Sequence, residues 1–421
     1  MTTQIGGARA FQHRNYRLFF TGQLISLIGT WMMTVAQSWL VLQLTGDPLL
    51  LGVVAAAQFG PVLVLGLFGG VVADALPKRR TLIATQVWPL ILGLIMSVLV
   101  FTNTVQVWHV LVIAFLLGCR NAIDMPTRQA FVVEMVGRED VGNAVAFNSA
   151  MFNGARVLGP AIGGLTIGAF GVGPAFLADS LSYLAVIVAY LLMRQDELHT
   201  RASIARPDSV RAVLDHLGEG LRYVRETPLV LAAISVVALV STFGMNFTVV
   251  IPPLARQILH TDAAGYGFLM SMVGAGSVVS ALTIAFTGRI APIVIGLGAA
   301  TLGVGEIALS LSRSFPISLV AMFFIGVGGI SMAATANTVV QLAVPDRLRG
   351  RVMSVYTTVF AGSTPIGGLV TGAIASSLGV AVAIGGGAVL SLVTGVVGVL
   401  WLRARATPAT RATARHSTGG A

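Results

Sequence analysis

The sequence predicts an all-α membrane protein with twelve transmembrane helices in two pseudo-symmetric six-helix halves. Of its 421 residues, 55% are hydrophobic and 10% are charged, whereas a soluble domain has roughly 25% charged residues. Apolar runs recur along the chain between short polar turns, and one crossing of a membrane core about 30 Å thick requires roughly 20 apolar residues. A glycine-rich pattern also recurs about half a chain apart, at 159–165 and 364–369.

Each of the twelve apolar runs is long enough for a membrane helix. The predicted helices, in order, are 19–44, 50–73, 81–101, 107–127, 143–169, 174–193, 228–251, 264–287, 290–311, 316–341, 352–377 and 381–402. They divide the chain into a tail (1–18), a six-helix bundle (19–193), a linker (194–227), a second six-helix bundle (228–402) and a tail (403–421). The first apolar run is too long for a signal-peptide core, so we expect it to be retained as helix 1.

The linker is the most highly charged part of the chain. Within it, apolar residues fall at helical spacing between Val210 and Val224, which predicts an amphipathic helix along the membrane surface or under the bundle. A plain solvated linker helix is the alternative.

The basic residues indicate the orientation, since cytoplasmic loops carry an excess of Lys and Arg. With the N-terminus in the cytoplasm, all but four of the 26 Lys and Arg residues lie on the cytoplasmic side. Arg256 and Arg313 lie on the other side, and Arg120 and Arg156 lie within helices. We therefore expect a multi-pass protein of the bacterial inner (plasma) membrane with both termini in the cytoplasm, and we do not read the net charge of +10 as a nucleic-acid site.

The loop after predicted helix 2 combines glycines, an acid and a basic run in the sequence GGVVADALPKRR, residues 69–80. Small residues permit close helix approach, Asp74 can cap a neighbouring helix, and the bases can hold that acid. This pattern predicts a locking cluster. An ordinary positive-inside loop explains the bases but not Asp74 with its glycines.

This loop resembles the signature of the major facilitator superfamily, in which a Gly is followed four residues later by an Asp and then by a basic run. Pro77 stands where the family usually has Gly. The resemblance implies a gating motif formed by Gly70, Asp74, Lys78, Arg79, Arg80 and Arg128.

Predicted helix 5 resembles the Gly-Pro-x-x-Gly-Gly motif of drug and proton antiporters, although Ala155 occupies the position of that motif's upstream glycine. The residues that carry the likeness are Gly154, Gly159, Pro160, Gly163 and Gly164. Glycines four apart permit close packing and Pro160 permits a kink. Tight packing without a role in transport is the alternative.

Further segments are similar to the enterobactin-exporter and multidrug branch of the superfamily, also called transmembrane secretion effectors. These segments are 11–17, 29–32, 36–40, 44–46 and 126–130. The resemblance implies proton-coupled efflux of drug- or siderophore-like small molecules by alternating access.

Charged residues inside helices are the candidates for substrate or proton coupling, because burying one at a helix centre costs about 2.5–3.5 kcal/mol. Arg120 and Arg156 lie in predicted helices 4 and 5, which by resemblance line the central cavity. The antiporter motif has an arginine in helix 4 but a glycine where this chain has Asp124. We expect both arginines to meet an anionic or polar substrate or to couple to protonation; purely structural pairing is the alternative.

Three buried acids complete this set. We expect Asp124 to join a static salt-bridge network with Lys78 or Arg79, with proton carriage as the second interpretation. Asp179 and Glu306 have no partner nearby in sequence, so either could carry a proton. By resemblance, however, their helices lie outside the cavity.

Gln37 and Asn246 are polar residues in apolar helices that could point towards a substrate or bond between helices. Lys78 is the only lysine and lies in no nucleotide-binding motif, the six histidines show no zinc spacing, and Cys119 is the only cysteine. We therefore expect no cofactor, no metal and no enzymatic activity.

The expected partners are a small-molecule substrate, protons and the lipid bilayer, and the expected state is a monomer. Other readings remain: an uptake symporter of the same fold, a membrane-embedded enzyme, or a channel. The enzyme would require clustered aspartates, which the sequence lacks.

Overall fold

The structure is a computed structural model of the 421-residue chain. It describes residues 7–199, 210–288 and 291–416, excluding the side chains of 67–75, 210–216 and 405–416. Within these residues the regular secondary structure is entirely helical, which confirms the predicted all-α fold class.

The helices follow one another with short connections. In chain order they are α1 (Arg14–Thr45), α2 (Pro48–Ala75), α3 (Lys78–Phe101), α4 (Val107–Phe170), α5 (Val172–Leu192), α6 (Val210–Glu226), α7 (Pro228–Phe243), α8 (Phe247–Pro253), α9 (Ala263–Thr287), α10 (Ile293–Leu311), α11 (Phe315–Ala343), α12 (Asp346–Leu378) and α13 (Val380–His416). A 3-10 turn (Arg9–Gln12) precedes α1, and a π-helical turn (Leu254–Ile258) follows α8.

Eleven segments of the described chain are long and apolar enough to cross a membrane. One of them, α4, has 64 residues and would be about 96 Å long if straight, three times the membrane core. It breaks at Gly137, whose φ of 72° and ψ of 177° suit glycine rather than a residue with a side chain. Predicted helices 4 and 5 are therefore the two parts of α4, α4a (107–136) and α4b (138–170), and predicted helix 6 is α5.

Predicted helix 7 (228–251) differs from the structure, because α7 ends at Phe243 and α8 begins at Phe247. The interruption contains Gly244 and Asn246. Two prolines end α8, and the π-helical turn takes over from there.

The predicted amphipathic linker helix is α6, and it packs against the ends of α11 and α12. Its Glu219 forms an ion pair with Arg351, and its Tyr223 hydroxyl donates a hydrogen bond of 3.2 Å to the Ala343 carbonyl. Val224 is buried. These contacts favour a helix under the bundle over a solvated linker.

The chain forms two compact units. The first comprises Met1–Arg206, Phe247–Gly274 and Thr364–Val380, and the second comprises Pro207–Asn246, Ala275–Ser363 and Ala381–Ala421. The first unit thus contains the whole first predicted bundle together with two segments from the second half of the sequence. It stays a prediction that the two predicted bundles, 19–193 and 228–402, act as separate bodies in a transport cycle.

Residues 9–13 form an N-terminal clasp on one face of the first unit. The Asp140 carboxylate accepts contacts from Arg9 at 3.3 Å and His13 at 2.9 Å, and the Ala10 amide donates to Asn143 Oδ1 at 3.0 Å. The Phe11 ring meets neighbouring aromatic rings edge to face. The clasp thereby ties the start of α1 to the beginning of α4b.

Candidate functional site

Asp124 of α4a lies at the centre of a polar cluster and is 0% exposed. Its Oδ1 accepts hydrogen bonds of 2.8 Å from Thr85 Oγ1 and Gln86 Nε2 of α3. Arg120 Nη2 lies 3.2 Å from Oδ1, and Arg128 Nε lies 3.6 Å from Oδ2. Because both arginines are four residues away on one helix face, the acid stands between two cations. We call these five residues the acid–arginine cluster.

The guanidinium of Arg120 has three partners in the structure. Besides Asp124, its guanidinium donates to the Thr85 carbonyl at 2.7 Å and to Asn121 Oδ1 at 2.9 Å. It is 8% exposed. These contacts support the structural alternative for Arg120 rather than a role in meeting substrate.

The expected partners of Asp124, Lys78 and Arg79, lie elsewhere, which corrects that prediction. Both residues are in the first turn of α3, whereas Thr85 lies seven residues further along, about 10 Å at 1.5 Å per residue. Thr85, rather than the first turn of α3, faces Asp124. The partners of Asp124 are therefore neutral donors of α3 and the arginines of its own helix.

Lys78 and Arg79 instead hold helix ends together. Lys78 Nζ forms a 2.7 Å ion pair with Glu134 Oε1 near the end of α4a. Arg79 donates to the carbonyls of Tyr190 at 2.7 Å and Leu191 at 2.9 Å, at the end of α5. Of the other predicted gating residues, Arg80 is exposed, while the surroundings of Gly70 and the side chain of Asp74 lie outside what the structure describes.

Reversing the Lys78–Glu134 pair tests its contribution. Lys78→Glu and Glu134→Lys, made singly, each place like charges together, and we expect each to lower the unfolding free energy by about 1 kcal/mol. The double reversal should recover most of that loss. The measurement is the thermal unfolding midpoint of the purified protein. A double variant no more stable than the single variants would contradict a direct interaction.

Arg128 extends the cluster to α1 and α5. Its Nη1 donates to Gln23 Oε1 at 3.0 Å, and Gln23 Nε2 lies 3.5 Å from the Tyr190 hydroxyl. Arg128, which the sequence groups with the gating loop, therefore bonds to the acid–arginine cluster and to α1.

Asp179 of α5 is a buried acid in different surroundings. It is 2% exposed, and among the described residues its Oδ1 has no hydrogen-bond partner and no cation lies within 4 Å of its carboxyl group. It borders a space of about 10 Å³, close to the minimum for one water molecule. The lining residues are Met33, Gln37, Pro89, Gly93, Met96, Ile113, Leu117, Phe176 and Asp179.

Gln37 is the other strongly polar side chain of this lining. Its Nε2 donates to Gln58 Oε1 of α2 at 3.3 Å, which is the helix-to-helix bond expected as one of its two roles. Asn246 donates to the Thr242 carbonyl at 2.6 Å, near the interruption between α7 and α8.

Glu306 of α10 lies in the second unit and is also buried. Among the described residues, its Oε2 has no hydrogen-bond partner. Asp179 and Glu306 therefore belong to different compact units.

Arg156 of α4b differs from Arg120. Its Cζ lies 5.7 Å from the centroid of the Trp31 ring, and Phe152 meets the same ring edge to face at 5.7 Å. No acidic side chain in the described part of the chain lies within 4 Å of its guanidinium.

The glycines of the helix 5 motif have unequal roles. A methyl group at Gly164 would lie 2.6 Å from the Ala263 carbonyl oxygen and 2.9 Å from Gly267 Cα, and one at Gly163 would lie 2.9 Å from Met32 Cα. Gly159 and Pro160 are buried in the same contact region. Gly154 has open space where a Cβ would be. The close-packing interpretation therefore holds for Gly159, Gly163 and Gly164 but not for Gly154.

Sequence reasoning missed the neutral partners of these charges, namely Gln23, Trp31, Thr85 and Gln86. The adjacent Thr85 and Gln86 interrupt an otherwise apolar run, which could have marked them as a buried polar pair. No comparable signal singles out Trp31, since its partner Arg156 is distant in the chain.

A family model described as transmembrane secretion effector matches residues 6–418. The chain is 23% identical to the staphyloferrin A transporter of Staphylococcus aureus, covering 86% of this chain and 90% of that protein. It is 28% identical to the multidrug efflux pump Tap of Mycolicibacterium fortuitum, covering 90% and 93%. It is 20% identical to macrolide efflux protein A of Streptococcus pyogenes, covering 88% and 92%.

Solved structures share the fold. A bacterial homologue of the human lysosomal transporter Spinster has a TM-score of 0.69 at 14% identity, covering 95% of this chain and 96% of that chain. A POT family transporter has a TM-score of 0.74 at 12% identity, covering 93% and 96%. These similarities show a transporter fold of the major facilitator type.

Proposed function

We infer an export function for this chain, which belongs to the transmembrane secretion effector family of major facilitator transporters. It is a multi-pass membrane transporter of small molecules, and its relatives are transporters rather than enzymes. We propose that it moves drug- or siderophore-like molecules out of the cell in exchange for protons, by alternating access. Efflux pumps among the relatives that span almost the whole chain support the direction. Uptake with protons is the alternative.

The distribution of basic residues supports a location in the bacterial plasma membrane with both termini in the cytoplasm. In this orientation the N-terminal clasp, the Lys78–Glu134 pair and α6 lie on the cytoplasmic side. We propose that the protein works as a monomer, because each six-helix half would supply one side of the substrate path.

The observation that carries the proton coupling is the environment of Asp179. A protonated carboxyl group needs no counter-charge in an apolar site, whereas a carboxylate does. The water-sized space beside it provides a place for the water that delivers or accepts the proton. Loss of the proton would require the surrounding helices to rearrange, which couples protonation to conformation.

Asp124 is less suited to carrying a proton. Two arginines lie within 4 Å of its carboxylate and two neutral donors bond to its Oδ1, so a negative charge there has counter-charges beside it, although Oδ2 accepts no hydrogen bond from the described residues. Glu306 stands as a second candidate carrier, in the second unit. We propose that the loop with Gly70 and Asp74, together with Lys78, Arg79 and Arg80, holds one conformational state.

The test is accumulation of a panel of drugs and siderophores in efflux-deficient cells that express wild type or Asp179→Asn. We expect wild type to lower accumulation, and we expect either the substitution or a protonophore to return it to the level of cells without the transporter. The asparagine keeps the volume of the side chain but cannot exchange a proton in this way.

Asp196→Asn is the matched control, because Asp196 is an exposed acid after α5. It should export like wild type. Export by Asp179→Asn that stays sensitive to the protonophore would exclude Asp179 as the carrier. Protonophore-sensitive uptake by wild type would replace export with symport.

A further inference from the structure

Arg156 places a positive charge within the apolar, membrane-spanning part of α4b, where its side chain is partly buried. It lies 14 residues before the end of α4 at Phe170, which corresponds to about 21 Å along the helix. The core is about 30 Å thick, so a helix that crosses it from Phe170 would place Arg156 inside the core, about 9 Å from the opposite face. Charged residues at such depth mark ligand paths or have a partner.

The two arginines of α4a have an acidic partner, whereas none is found for Arg156 among the described residues. Arg120 and Arg128 share Asp124. Within the residues that the structure describes, no acidic side chain and no hydrogen-bond acceptor is paired with the Arg156 guanidinium, and its neighbour is the face of Trp31. The sequence makes both Arg120 and Arg156 candidates for contact with substrate. In the structure Arg120 is paired with an acid, whereas Arg156 contacts an aromatic ring.

The aromatic contact leaves the hydrogen-bonding edge of Arg156 free. An aromatic ring attracts a guanidinium through its face, while the N–H donors lie in the guanidinium plane. Arg is also the residue that best matches the two oxygens of a carboxylate. Arg156 can therefore stay on Trp31 and bind an anion at the same time.

The surroundings hold this pair in position. The backbone carbonyl of Arg156 packs at the position where Gly274 would carry a Cβ, and Gly159 lets α4b approach Trp31. Phe152, one turn earlier, meets the Trp31 ring edge to face. A fixed cation beside two aromatic rings suits a ligand that joins an oxyanion to a flat apolar group.

We propose that Arg156 and Trp31 form a subsite for a carboxylate of the transported molecule, with Phe152 contacting an adjoining aromatic or apolar group. This inference rests on the proposed function for the existence of a cargo, but it concerns the cargo's chemistry rather than the direction of transport or its energy source. Acidic small molecules are accordingly the preferred cargo over their neutral esters.

The test is equilibrium binding of two matched pairs to the full chain in lipid nanodiscs: nalidixic acid with its ethyl ester, and citrate with triethyl citrate. We expect wild type to prefer the acid of at least one pair roughly tenfold or more. Arg156→Gln should abolish that preference while leaving ester binding unchanged. Arg156→Lys should retain part of it, since it keeps the charge but not the planar donors.

Thermal unfolding of the same samples identifies a purely structural effect. Equal preference in wild type and a folded Arg156→Gln, or no preference for the acid in either pair, would overturn the proposal. An acid preference that depends on Arg156, in a protein that fails to export any molecule of the cell-based panel, would leave this subsite standing and defeat the proposed function. Export by a protein that shows no preference for the acids would support the proposed function and overturn the subsite.

Discussion

We expect Asp124→Ala to lower the unfolding free energy by roughly 3–5 kcal/mol, the cost of removing one partner from a buried ion pair. The substitution leaves Arg120 and Arg128 facing each other without the carboxylate between them, and it removes the acceptor for Thr85 and Gln86. The measurement is thermal or denaturant unfolding of purified protein, followed with a thiol-reactive dye. Cys119, the only cysteine, adjoins Arg120 and reports on this region directly.

Asp179→Asn is the matched comparison. Asp179 is as deeply buried as Asp124 but has no ion pair in the described structure, so its neutral replacement removes no cation partner. We expect its unfolding midpoint to stay close to that of wild type. If Asp124→Ala proved as stable as Asp179→Asn, the acid–arginine cluster would not be a principal support of the fold.

We expect Gly164→Ala to abolish most transport, because one added methyl group forces α4b and α9 apart. The methyl would meet backbone atoms of Ala263 and Gly267, which cannot turn aside as a side-chain end can. Overpacking of this kind costs about 1–3 kcal/mol where the helices touch. Accumulation in efflux-deficient cells measures the effect, and the unfolding midpoint of the purified variant shows how much of it comes from lost stability.

Gly154→Ala provides the control from the same helix and the same sequence motif. A methyl group at Gly154 meets no atom within 4 Å, so we expect transport and stability like those of wild type. Equal loss of transport in both variants would mean that glycine's flexibility, rather than close helix contact, is what this helix requires.

The fold class and nearly all helix positions could be predicted, because membrane helices have a length and composition that few other segments share. The connection around Gly137 could not. Residues 128–142 look like a charged loop, but the chain turns at a single glycine and remains helical on both sides. A glycine with a positive φ cannot be told from any other glycine by sequence alone.

The candidate site was predictable only where its partners lie on one helix. The spacing of Arg120, Asp124 and Arg128 shows that they share a helix face. Whether an arginine is satisfied depends also on residues from other helices, such as Thr85 for Arg120 and Trp31 for Arg156. Those contacts join positions far apart in the chain, so the sequence could not distinguish a structural arginine from one available to bind an anion.

The N-terminal clasp also has a consequence for synthesis of the protein. The partners of His13 and Ala10, namely Asp140 and Asn143, are made 127 and 133 residues later. At about 5–20 residues per second, the ribosome needs roughly 6–25 s to add them. The first helix must therefore enter the membrane with its leading residues still unanchored, and its final attachment waits until the fifth crossing has begun to emerge.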